Sequence, residues 1–89
     1  MAILMSAEVP GQTQEGYQAT VDALREGIMK APGFIMHMTA PSEGGWAVFE
    51  VWASKKEAND WFAHNVAPAL PEGVTPRRTF RELYNVITA

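Results

Sequence analysis

Cysteine is absent from the 89 residues, which excludes a disulfide framework and a thiolate metal site and permits a reducing compartment. No apolar run approaches the roughly 18 residues of a membrane span, and the first residues lack the charged start of a signal peptide. A cytoplasmic protein that does not enter a membrane is therefore expected. Clustered positive charge is missing as well: the net charge is −3 and is spread along the chain, so nucleic acid is not an expected partner. The only histidines are His37 and His64. Neither has a carboxylate cluster beside it, and nothing matches H-E-x-x-H or a calcium-binding loop, so no metal is expected. Gly44-Gly45 is a turn and not a dinucleotide fingerprint, and no Ser, His and Asp spacing suggests a nucleophile elbow. No resident cofactor is expected. There is no solenoid-period repeat and no low-complexity tract.

What the chain does have is apolar side chain. Hydrophobic residues make up 47%, with three Trp, four Phe and five Met. A single domain over residues 1–89 buries roughly 60–65% of its unfolded surface. That is little room for so much apolar mass, and the mismatch points to a second copy of the chain.

The clearest stretch is 46–70. Residues 46–51 are aromatic, β-branched or small except for Glu50, and suit a buried strand. Ser54 with Glu57 forms a capping box in which the serine accepts from the Glu57 amide and the glutamate reaches back, so a helix starts near Lys55. Ala58, Trp61, Phe62, Asn65, Val66 and Ala69 mark one face of it, and Pro68 and Pro71 bracket its end. Upstream, Ile3, Leu4 and Met5 suggest a first strand over 2–9, ended by Pro10-Gly11. Thr13 is the expected cap of a first helix whose stripe is Tyr17, Val21, Leu24 and Ile28. Gly16 and Gly27 within it suggest close approach to a sheet, or simply loose helix ends. Ala31-Pro32-Gly33 ends that helix. A second strand over 34–40 would place Phe34, Met36 and Met38 on one face and Ile35, His37 and Thr39 on the other. A hairpin through 41–45 leads into the third strand, where Trp46, Val48, Glu50 and Trp52 share a face, and a last strand is expected over about 79–87.

The order β-α-β-β-α-β is the ferredoxin-like α+β arrangement: two helices on one face of a four-stranded antiparallel sheet. The face left bare would be apolar, which suits two sheets meeting across a dyad as a dimeric α+β barrel, a homodimer formed through that face. Alternation alone leaves open whether Trp46, Glu50 and Trp52 look toward the helices or toward the partner.

Pro32-Gly33-Phe34-Ile35 with His37 soon after, Glu50-Val51-Trp52-Ala53-Ser54, and the aromatic helix behind it resemble the antibiotic biosynthesis monooxygenase family. The resemblance implies a small dimeric barrel. Its members include cofactor-independent oxygenases of phenolic, polyketide-like substrates, heme-degrading enzymes, and proteins without known activity. Trp61 falls where the heme-degrading relatives carry a helix tryptophan. The first strand, however, has no asparagine, and Pro71 stands where their histidine ligand would be.

From these readings the candidate catalytic residues are His37 and Glu50, and the candidate substrate-binding residues are Trp52, Trp61, His64 and Tyr17. His37 projects from an apolar strand and can serve as a general base near neutrality, or be a hydrogen-bonded core histidine. Glu50 can be a poised carboxyl or a structural partner of Arg77, Arg78 or Arg81. His64 lies one turn after Trp61, either at the pocket mouth or in solvent. The tryptophans offer stacking surface, at most two of the three in a cavity. The expected function is a cofactor-independent monooxygenase binding a small aromatic molecule. The alternatives are a non-enzymatic dimeric ligand-binding or structural protein, and a heme-binding or isomerase-type relative.

Overall fold

The structure is a computed structural model that describes residues 1–89 throughout. Its elements are β1 (Ile3–Pro10), α1 (Gln14–Met29), β2 (Phe34–Ser42), β3 (Gly45–Trp52), α2 (Lys55–Trp61) and β4 (Arg77–Glu82). One sheet holds all four strands in the order β2-β3-β1-β4, every neighbour antiparallel. This is the ferredoxin-like α+β fold expected from the element order.

Local chemistry accounts for most boundaries. Thr13 caps α1 by accepting from the Gly16 amide at 3.0 Å. Ser54 caps α2 by accepting from the Glu57 amide at 3.2 Å. Glu57 does not reach back to the backbone as in a full capping box; its carboxylate accepts from the Ser54 hydroxyl at 2.9 Å instead. Neither glycine of α1 meets the sheet. Gly16 belongs to the cap, and at Gly27 an added Cβ would lie 3.1 Å from the Trp61 ring, so the close approach is between the two helices. The hairpin turns on Glu43-Gly44, with Gly44 at φ 73°.

Three elements differ from the expectation. The strand over 79–87 runs instead from Arg77 to Glu82. Its ladder on β1 ends at the Ile3–Glu82 pair, followed by one more bond from the Leu83 amide to the Ala2 carbonyl. The second helix does not run on to the prolines as one α-helix. After Trp61 it widens into a π-turn over Phe62–Val66, with the Ala67 amide bonded to the Phe62 carbonyl, and closes in a 3-10 turn over Ala67–Ala69. Pro68 cannot donate to the α-helical ladder, and the turn before it re-registers. In β2 the pairing with β3 shifts between Phe34 and Met36. The bulge absorbs one residue, so Phe34 and His37 both lie opposite helix-facing residues, Trp52 and Glu50, and strict alternation fails.

The helix-facing side of the sheet carries Ile3, Met5, Ala7 and Val9 of β1, each no more than 7% exposed. With Trp52 and Ala58, three of these form the packed core, and Phe34 meets Trp52 edge to face at 5.4 Å. The other side leaves Ile35, Met38 and Phe49 exposed.

Candidate functional site

Above the small residues Ala7, Val9 and Val48 the space between sheet and helices is not filled. A cavity of about 600 Å³ lies there, lined mostly by apolar side chains. The whole stripe of α1, Tyr17, Val21, Leu24 and Ile28, faces it, and Trp61 and Phe62 close it from α2 and the π-turn. Rings of the first helix and the third strand meet at its wall, with Tyr17 and Trp46 stacked at 5.5 Å.

One run of polar groups crosses this apolar wall. Glu50, the one buried charged residue, accepts from the Trp52 indole N–H at 2.9 Å through Oε1. Its Oε2 lies 2.7 Å from His37 Nδ1. The far ring nitrogen, Nε2, lies 2.8 Å from the Tyr17 hydroxyl. The β2 bulge makes this possible, because it brings His37 level with Glu50 on the helix side. A carboxylate, an imidazole and a phenol in series can hold or move a proton.

On the opposite wall stands Arg78 of β4. Its guanidinium lies over Phe62 at 3.9 Å and Phe80 at 5.0 Å, makes no ion pair, and has a buried Nε without a hydrogen-bond partner. Burial holds its pKa below the ordinary arginine value, an effect partly offset by the charge of Glu50. The Trp46 indole N–H is a second buried donor without a partner. Both donors are buried and find no acceptor within the protein.

Of the residues singled out by sequence, Tyr17, His37, Glu50 and Trp61 line the cavity. Trp52 does not: it is fully buried in the core and touches the site only through its N–H to Glu50. His64 is exposed and outside the cavity, its Nδ1 at 2.8 Å from the Asp60 carbonyl oxygen. Glu50 pairs with His37 and not with an arginine. Of the three tryptophans read as stacking surface, Trp46 and Trp61 line the cavity and Trp52 does not; Arg78 lacked a clear sequence signal as a lining residue, the available one being that it falls on the helix-facing register of its strand.

No family model matches the chain, and no curated protein matches its sequence. Solved structures do match in shape. A substituted form of SnoaB, a cofactor-independent oxygenase from Streptomyces nogalater, superposes with a TM-score of 0.69 at 12% identity, over 99% of this chain and 97% of that one. The monooxygenase from the gene ActVA-Orf6 of Streptomyces coelicolor, in complex with nanaomycin D, gives 0.62 at 14% identity, over 99% and 92%. A substituted form of MhuD with two manganese protoporphyrin IX molecules per active site gives 0.70 at 13%, over 98% and 99%. The fold is thus that of the antibiotic biosynthesis monooxygenase-like proteins. At these identities the likeness is one of fold.

Proposed function

We propose that the protein is a cofactor-independent monooxygenase that binds a small hydroxylated aromatic molecule in the cavity beneath α1. The observation that supports this most is the Glu50–His37–Tyr17 chain opening onto an apolar cavity of about 600 Å³. Removing a phenolic proton leaves an electron-rich anion, and an apolar pocket with a fixed cation strengthens every interaction made with it. Trp46 and Trp61 hold the ring, and Arg78 faces the developing charge. For a substrate with an activated ring methylene, one oxygen atom of dioxygen becomes the new carbonyl while the other leaves as water with the two methylene hydrogens. The substrate supplies all the electrons, and no outside reductant enters. The chain pairs with a second copy through the sheet face that carries Ile35, Met38 and Phe49, whose exposure supports this reading.

Oxygen uptake with phenolic aromatics bearing such a methylene tests the proposal. Uptake that disappears in His37→Ala is expected; binding without uptake leaves a ligand-binding protein instead. Sedimentation of the native protein tests the dimer, with Phe49→Lys expected to yield monomer.

A further inference from the structure

The hydrogen-bond polarity of the Trp52–Glu50–His37–Tyr17 chain is set from its buried end. An indole N–H only donates, so Glu50 Oε1 is an acceptor. The second carboxylate oxygen then accepts from His37, which places the imidazole proton on Nδ1. A neutral imidazole has one N–H, so Nε2 is an acceptor, and the Tyr17 hydroxyl donates to it across 2.8 Å. Both nitrogens of His37 are therefore taken up by protein groups. The oxygen of Tyr17 has given its proton to that bond and keeps its lone pairs for whatever fills the cavity it lines.

Resting on the oxygenase reading above, we infer that Tyr17, and not His37, is the group that meets the ligand, as the acceptor for a ligand hydroxyl. His37 is a positioning residue that acts through it. The ligand O–H bond breaks as its proton passes to the Tyr17 oxygen, and the Tyr17 O–H bond breaks as its proton passes to His37 Nε2. The ligand becomes an anion and His37 an imidazolium, held by Glu50 on its other nitrogen. The phenol of Tyr17 is regenerated in the same step. At the Tyr17 oxygen itself a ligand able only to accept finds no donor, so this contact selects for a phenol over its ether.

The test uses the full chain and two probes with the same ring, 4-methylphenol and 4-methylanisole, both uncharged at neutral pH, which differ in the O–H. Native protein should bind the phenol roughly two- to tenfold more tightly, the scale of one neutral hydrogen bond, and Tyr17→Phe should bind the two alike. Independently of any ligand, ring ¹⁵N chemical shifts of native protein should show His37 protonated at Nδ1 and bare at Nε2. An Nε2–H tautomer overturns the inference even if Tyr17→Phe does not fold. So does a phenol preference that survives in Tyr17→Phe. Equal binding of both probes by native protein overturns the inference alone, whereas binding of neither overturns the aromatic-ligand reading with it.

Discussion

Trp46 and Trp52 stand on the same side of β3, at opposite ends, and differ in everything but facing. Trp52 has no exposed surface, packs against Phe34 and the β1 core, and gives its N–H to Glu50. Trp46 is only partly buried, stacks on Tyr17 at the cavity wall, and has an N–H with no partner. Residue type and strand register do not separate the two. What separates them is the size of what lies opposite. Phe34 and Ala58 fill the Trp52 end, whereas Ala7, Val9 and Val48 leave the Trp46 end open. One sheet face is therefore core at one end and site at the other, and Glu50 joins them, bonded to Trp52 on one oxygen and to His37 on the other.

The comparison is sharpest in stability. Trp52→Ala should cost about 3–5 kcal/mol in urea unfolding, as large core truncations do. Trp46→Ala should cost well under half of that, because part of its surface is already exposed and its N–H bonds to nothing; equal losses would dissolve the distinction. Glu50→Ala comes next, at about 2–3 kcal/mol, because it leaves the Trp52 N–H and His37 Nδ1 without partners. It should also abolish oxygen uptake. Filling the open end should reverse the pattern. Val48→Phe should change stability by no more than about 1 kcal/mol, since the added ring enters empty space, yet weaken 4-methylphenol binding at least tenfold by titration. If instead it unfolds the protein, the Trp46 end is as tightly packed as the other.

The smallest effect belongs to a pair outside both ends, Lys56 and Asp60 on α2, 2.8 Å apart and exposed. The hydrogen bond from Lys56 holds the Asp60 carboxyl below its ordinary pKa, and the same bond raises Lys56 above its own. The aspartate contribution is present above the ordinary carboxylate pKa and fades as pH falls through the lowered one. The lysine contribution is present below the ordinary ammonium pKa and fades as pH rises through the raised one. Solvent screens both. Asp60→Asn in moderate salt should leave the melting temperature within measurement scatter at neutral pH.

Element order, both helix caps, a hairpin somewhere within 41–45 and the shared face of Trp46, Glu50 and Trp52 were legible because each rests on local rules of spacing and capping. The ladder of His37 to Glu50 and Tyr17 was not. It depends on one residue absorbed at the β2 bulge, and alternation read from sequence assumes an unbroken register. The cavity was hidden for another reason. Ala7, Val9 and Val48 read as ordinary strand residues, and whether small side chains meet a large neighbour or a void is decided across the fold. Arg78 was visible only as a possible partner for Glu50, although its place beside Phe80 on the helix-facing register is the sign that a cation sits among apolar rings.

Helix α1 has no fully buried residue along its length, although its stripe is apolar. Part of the surface against which it would dock is missing from the polypeptide. An occupant of the cavity would supply that surface, which would link recognition and folding for this helix. At a hundredfold excess over its dissociation constant, a bound molecule adds about 2.7 kcal/mol to the unfolding free energy, and the amides of α1 should show the added protection in hydrogen exchange. A rise in melting temperature across a library of aromatic compounds can thus identify the ligand before any reaction is known.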